Sequence, residues 1–211
     1  MSPSLVILLH GVNADGDDLA PLADMLRPAL AGADFVAPDA PFPTPLGFQW
    51  FSLDGITLEN RLERVAQARA AFDAVLNRIV EAHSLAAGLP ANLGRVALVA
   101  FSQGAIMALD ALATGRWPVA GVVAFSGRFA SPPPYAPSLQ TPALLVHGDA
   151  DDVIPWSESR DAEQALKKLG VSTRLRVLAG VDHCITPEGA DLAARFLAPL
   201  LGDETKTPPT T

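Results

Sequence analysis

A serine at position 102 separates the apolar run "VALVAF" from "QGAIMALDALATG", a stretch of small and apolar residues. Ser102 there is either a nucleophile at the tip of a strand or an ordinary serine at a strand-to-helix turn. A serine hydroxyl is a weak nucleophile at neutral pH. It needs a base within hydrogen-bond reach and a carboxylate to hold that base in the right tautomer. A nucleophile elbow also needs small residues two before and two after the serine, because the turn brings strand and helix close together. Ala100 and Gly104 occupy those positions, with alanine where glycine is usual. Ser126, in "AFSGR", has Arg128 at the second following position and lacks the small flank. It reads as a loop serine that ends the next strand and is able to line the site.

In a triad of this kind the acid follows the serine and the histidine follows the acid. The chain has four histidines. His10 and His83 precede Ser102, and His83 continues an apolar helical face. His10 and His147 each stand before a glycine at the end of an apolar run, as packing or loop-ordering residues. His183, in "GVDHCITP", remains as the base. The acid must come from "HGDADDVIP" at 147–155, which offers Asp149, Asp151 and Asp152. Asp149 is suited to holding the turn through backbone N–H groups. Asp151 stands at the crest of the loop, Asp152 reads as a solvated neighbour, and Asp182 competes from beside His183. Two donors are needed for an oxyanion. The backbone N–H of Gln103, at a helix N-terminus, is one, and that of Val12, in the "HGVN" loop, is the other.

The elements that must carry these residues follow from periodicity. "LVILL" (5–9), "DFVAPDAP", "RVALVAF", "VAGVVAFSG", "PALLVHGD" and "TRLRVLAG" read as six strands. The last alternates arginine with apolar residues, as at a sheet edge. Leu19, Leu22, Leu26 and Leu30 keep helical spacing. A strong helix is expected from Thr57 to about Gly88, with Leu58, Leu62, Val65, Phe72, Leu76, Ile79 and His83 on one face. Further helices should follow Ser102, end at Gly170, and open at Thr186-Pro187, the last with Leu192, Phe196 and Leu200 as its buried stripe. Residues 41–56, with three prolines, two glycines and four aromatics, read as a long loop. Strands alternating with helices predict an α/β fold, a parallel sheet with helices on both faces and ligands at the carboxyl ends of the strands.

Length and composition fit one domain over 1–202, with the polar "GDETKTPPTT" end a disordered tail over 203–211. The net charge of −8 disfavours nucleic acid as a partner. The single cysteine, Cys184, excludes an intrachain disulfide and a cysteine-based zinc cluster. No signal peptide or membrane span is legible, so a reducing cytoplasm is the simplest location and no integral membrane association is expected.

Several segments together resemble the phospholipase/carboxylesterase family, which includes bacterial carboxylesterases and acyl-protein thioesterases. They are "LLHGVNADGDDLAPLADML", "PDAP", "WFSLDG", "AFSQGAIMALD", "AFSGR" and "HGDADDVIP" with a late "DH". The resemblance implies a minimal α/β-hydrolase without a large lid domain. It implies Ser102 as nucleophile, Asp151 as acid and His183 as base, and Val12 and Gln103 as oxyanion donors. Trp50 and Phe51 match its Trp-Phe segment beside the site, as substrate contacts or as loop packing, and Val153 is a further substrate-lining candidate. Three departures bear on the site: Ala100, Asn13 where many members have glycine, and a start close to the first strand where longer members carry another.

The expected activity is hydrolysis of a carboxylic ester or thioester through an acyl-enzyme, with no metal or organic cofactor. The substrate would be a small-molecule ester or thioester, a lysophospholipid or an acylated protein. The family resemblance admits a homodimer, though no isolated interface stripe is legible. The rivals are a peptidase, a dienelactone-type hydrolase, which usually carries cysteine at the elbow, and a catalytically silent binding protein of the same fold.

Overall fold

Burial along each apolar run decides where it lies in the sheet. The structure, a computed structural model, describes residues 4–202, and the expected tail at 203–211 lies outside them. The strands are β1 (Ser4–Leu9), β2 (Ala33–Val36), β3 (Phe42–Thr44), β4 (Gly47–Gln49), β5 (Val96–Phe101), β6 (Gly121–Phe125), β7 (Ala143–Gly148) and β8 (Thr173–Leu178). Six of them form one sheet in the order β2-β1-β5-β6-β7-β8. Every pair in that sheet is parallel. The almost continuously buried β1, β5, β6 and β7 are interior, and the partly wet β2 and β8 are the edges. The Arg-alternating run is therefore the edge strand its pattern predicts.

Among the described residues five α-helices cover the sheet: α1 (Ala20–Leu26), α2 (Arg61–Ala87), α3 (Gln103–Ala113), α4 (Ser157–Lys168) and α5 (Pro187–Leu201). Successive side chains of a strand point to opposite faces, and the core divides accordingly. Leu5, Ile7, Leu9, Leu98 and Ala100 pack with residues of α2, α3 and α4. Val6, Leu8, Ala97 and Val99 pack with α1 and α5. The strand order reverses at β1, with β2 on one side and β5 to β8 on the other. Such a reversal opens a crevice at the carboxyl ends of the two strands beside it. Ser102 follows β5, and His10 to Asn13 follow β1.

Three expectations need correction. Residues 41–56 are not all loop, because β3 and β4 pair as an antiparallel hairpin, Phe42 with Gln49 and Thr44 with Gly47. The regular part of α2 starts at Arg61 rather than Thr57, although the Arg61 N–H already bonds the Thr57 carbonyl at 3.1 Å. Leu58 and Leu62 on its first turns are exposed. In α5 the buried stripe is Ala190, Ala193, Ala194, Leu197 and Leu201, with Leu192, Phe196 and Leu200 at its margin. Small residues take the seam there because the helix lies close on the sheet.

One charge is buried between α2 and α3. Asp110 is 1 % exposed and accepts from Arg69 (3.0 and 2.7 Å), Arg116 (2.9 Å) and Ser131 (2.7 Å). Arg116 also reaches Asp73 at 2.8 Å, where Trp117 Nε1 donates at 2.7 Å. This network ties the helix behind Ser102 to α2 and to the loop after β6. Removing one partner strands the others as buried charges. Asp110→Ala is therefore expected to cost about 3–5 kcal/mol, read as a lower urea midpoint at unchanged slope.

Candidate active site

The turn after β5 is as tight as its sequence demands. Ser102 has φ 52° and ψ −115°, a conformation uncommon outside glycine. Holding it costs on the order of 1–3 kcal/mol, supplied by the surrounding structure. Its N–H continues the sheet ladder by donating to Phe125 O at 2.9 Å. A Cβ on Gly104 would stand 2.4 Å from Leu9 O and 2.7 Å from His10 O. No side chain fits there. Ala100 is buried in the strand and accommodated without any distortion of the β1 and β6 registers.

Ser102, His183 and Asp151 come together from three different loops. Ser102 Oγ lies 2.9 Å from His183 Nε2, and His183 Nδ1 lies 2.7 Å from Asp151 Oδ2. The His183 ring also leans on Phe101, centroids 4.9 Å apart. The loops carrying acid and histidine are laced to each other. Ala150 N–H donates to Val181 O at 3.0 Å, and Gly180 N–H donates to Asp149 Oδ1 at 2.6 Å. A Cβ on Gly148 would meet Val181 O at 2.0 Å, so glycine lets the two loops touch. Geometry thus separates the candidate acids. Asp149 fixes the turn, Asp152 is exposed, and the Asp182 carboxylate is hydrogen-bonded to the Cys184 thiol.

Asp151 is ionised against its surroundings. Burial alone would raise its pKa, but hydrogen bonds from His183 and the backbone N–H groups of Ile154 (2.8 Å) and Val153 (3.0 Å) outweigh burial and hold it below the usual value. A second imidazole shares this carboxylate. His147 Nε2 is 3.0 Å from Asp151 Oδ2 and 2.7 Å from Ile154 O, while its Nδ1 is 2.7 Å from Ser159 Oγ. Two acceptors at Nε2 place the hydrogen there, and Nδ1 and Gly127 O, the latter at 3.1 Å, compete for the single Ser159 hydroxyl proton. Burial pushes the His147 pKa down, more than its hydrogen bond to Ile154 O and the charge of Asp151 raise it.

The loop after β1 is fixed from both ends. His10 Nε2 accepts from the Ala40 N–H at 2.9 Å, its Nδ1 lies 2.6 Å from Gly11 O, and its own carbonyl accepts from Trp50 Nε1 at 2.9 Å. Asn13, at φ 62°, takes the left-handed conformation that asparagine tolerates. Its N–H donates to Phe48 O, and the Phe48 N–H donates to Ala14 O, both at 2.8 Å. Val12 and Gln103 both border Ser102, and neither backbone N–H has an acceptor among the described residues.

Trp50 has no exposed surface and stacks edge-on to Phe72 in the core, so all its contacts are internal. Phe51 and Val153 do line the cavity at Ser102. One residue was undervalued. The Gln103 side chain accepts from Trp50 N–H and donates to Phe51 O, both at 2.7 Å, clamping the 41–56 segment to the elbow. A buried amide just after a candidate nucleophile was the available signal.

Two cavities flank Ser102. The larger, about 450 Å³, is lined mainly by Leu19, Leu22, Met25, Phe101 and Ile185. The smaller, about 190 Å³, is lined by Phe51, Ile56, Arg61, Ile106 and Arg128. Val12 and Val153 border both. A hydroxyl, an imidazole and a carboxylate in one hydrogen-bonded chain, at the strand ends of a parallel sheet, define a serine-hydrolase arrangement on an α/β fold.

Comparison with known proteins carries this further. The family model described as Phospholipase/Carboxylesterase matches residues 2–201. Esterase YpfH of Escherichia coli is 34 % identical over 204 residues, covering 92 % of this chain and 81 % of YpfH. Acyl-protein thioesterase 1 of Neurospora crassa is 26 % identical over 215 residues, covering 91 % and 84 %. Among solved structures, esterase PE8 superposes with a TM-score of 0.78 at 34 % identity, over 95 % of this chain and 94 % of that one. The carboxylesterase of Mesorhizobium loti shares the fold, with a TM-score of 0.78 at 22 % identity over 94 % and 90 %. The chain belongs to the phospholipase/carboxylesterase family, the carboxylesterase- and acyl-protein-thioesterase-like serine hydrolases that act on esters. No helix among the described residues is long and apolar enough to cross a membrane.

Two predictions follow from the titrating groups. Because burial keeps His147 neutral below the ordinary 6.5, the unfolded chain takes up that proton first as pH falls. The stability it contributes is complete above pH 6.5 and drains as pH drops toward the folded value. Asp151 acts lower, its contribution lost as pH falls below 3.8 through its own folded value. Thermal midpoints should therefore decline on acidification from pH 7 to 5, with a shallower slope in His147→Gln. Hydrogen bonding to Asp182, with burial, pushes Cys184 up to about 11. Despite its exposure, its alkylation by iodoacetamide at neutral pH should be slower in the folded than in the unfolded protein.

Proposed function

We propose that residues 1–202 form one catalytic domain in which Ser102 is the nucleophile, His183 the general base and Asp151 the residue that orients and charge-stabilises the imidazole. The observation that carries this reading is the continuous chain from Ser102 Oγ through His183 to Asp151, at 2.9 and 2.7 Å. His183 Nε2 takes the serine proton as Oγ attacks the acyl carbon. The developing negative charge on the carbonyl oxygen lies at the N-terminus of α3, where the Gln103 and Val12 N–H groups are available to receive it. Collapse of the tetrahedral intermediate expels the alcohol or thiol, which leaves with the proton from His183. Water then repeats the sequence on the acyl-enzyme, with His183 again as base.

The substrate is a carboxylic ester or thioester. The apolar 450 Å³ groove beside Ser102 supports an acyl chain there, whether from a small ester, a lysophospholipid or an acylated protein. Phe51 and Val153 would bound the reacting carbonyl, and Trp50 packs in the core with Phe51. The single cysteine, protonated at neutral pH, is compatible with a reducing cytoplasm.

Ser102→Ala should retain the wild-type thermal midpoint within a few degrees and lose on the order of 10⁴-fold or more in kcat/KM for 4-nitrophenyl butyrate. A fluorophosphonate probe should modify the wild-type chain at Ser102 alone, as mapped by mass spectrometry. Modification at Ser126, or undiminished turnover by folded Ser102→Ala, would overturn the assignment.

A further inference from the structure

The two cavities at Ser102 differ in charge as well as size. Arg61, the first residue of α2, and Arg128, in the loop after β6, both line the smaller one. The Arg128 side chain is 13 % exposed, and its Nη1 lies 3.3 Å from Glu158 Oε1 in α4. Burial lowers its pKa despite Glu158, and the nearby charge of Arg61 lowers it further, while Asp151 acts in the opposite sense. Arg61 has no ion-pair partner among the described residues. Two guanidiniums that repel each other thus line one cavity, and only Arg128 is paired, with Glu158 of α4, in a chain whose net charge is −8. Among the described residues, the larger cavity has no arginine or lysine in its lining, and its one carboxylate is Asp18.

An excess guanidinium in a partly desolvated wall is unfavourable until an anion joins it. A guanidinium fork also matches a carboxylate in two parallel hydrogen bonds, more strongly than neutral donors would. We propose that the physiological substrate carries a carboxylate that Arg61 and Arg128 receive in the smaller cavity while its apolar portion lies in the larger one. The proposal rests on Ser102 being the nucleophile. The carboxylate belongs either to the acyl part or to the leaving group. In both cases it adds an interaction that a neutral ester of the same length lacks.

Two matched pairs of substrates separate the sources. 4-Nitrophenyl hemiadipate against 4-nitrophenyl hexanoate places the charge on the acyl side. 4-(Butyryloxy)benzoate against 4-(butyryloxy)benzamide places it on the leaving side. In one pair, at low ionic strength, the charged member should show a kcat/KM about tenfold or more above its neutral partner. That ratio should fall with added salt, collapse toward one in Arg61→Gln, and be partly kept in Arg61→Lys. The same ratio is measured for Arg128→Gln where that variant folds, and Arg61→Gln alone suffices where it does not. Charged members no better than neutral ones in either pair, or a preference unchanged in Arg61→Gln, would overturn the proposal. Absence of turnover on the neutral esters, with no fluorophosphonate labelling, would instead reject the nucleophile assignment.

Discussion

The beginning of α3 lies directly over the last carbonyls of β1, with only a glycine hydrogen between them. That contact, at Gly104 over Leu9 and His10, constrains everything else at the carboxyl edge of the sheet. It forces the chain to reverse within the single residue Ser102, at a positive φ. It aims the unbonded N–H of Gln103 at the same space as the loop after β1. It also keeps the loop after β1 close to the serine, so that a Cβ on Gly11 would stand only 3.3 Å from Ser102 Cβ. A fold that brought the same three polar side chains together without this contact would have a hydroxyl and a base but no cradle for the oxygen that gains charge.

Behind the serine, Asp151 is held by more than the His183 imidazole. Asp151 has one oxygen on two backbone N–H groups and the other between two histidines. The backbone bonds fix the plane of the carboxylate, and His147 fills the remaining lone-pair direction with a donor. An unfilled direction on a buried carboxylate would be costly. The charge therefore stays localised where His183 Nδ1 meets it, and the carboxyl group has no free rotamer to visit. His147 also spans to Ser159 of α4, so the acid loop is bound to the helix that follows it.

Much of this was legible in sequence, for identifiable reasons. The four interior strands announced themselves as apolar runs because interior parallel strands are buried on both faces. The edge position of β8 showed in its alternating arginines. Chain order left His183 as the sole histidine late enough for the base, and it is the one at Ser102. The choice among Asp149, Asp151 and Asp152 was not decided by the residues alone, since all three share one short loop and only the twist of that loop presents one of them. The β3–β4 hairpin stayed hidden because three prolines in 41–56 read as coil, while its pairing with Ala14 depends on a segment distant in sequence. The burial of Trp50 was equally non-local, since it depends on His10 and Phe72. The α5 stripe was misplaced because alanines, rather than the larger leucines and phenylalanine, fill a close helix-to-sheet seam.

Gln103 joins two tasks in one residue, its main chain beside Ser102 and its side chain on the Trp50–Phe51 segment. Variation along that segment is consequently partitioned. Residues next to the amide clamp can change only in concert with the elbow, whereas at the hairpin tip Leu46 is 77 % exposed. A lineage could insert, delete or recolour residues at that tip while the arrangement beneath is inherited intact. Diversification of such an enzyme would then be concentrated in a few surface positions, with the strand ends serving as a conserved chassis.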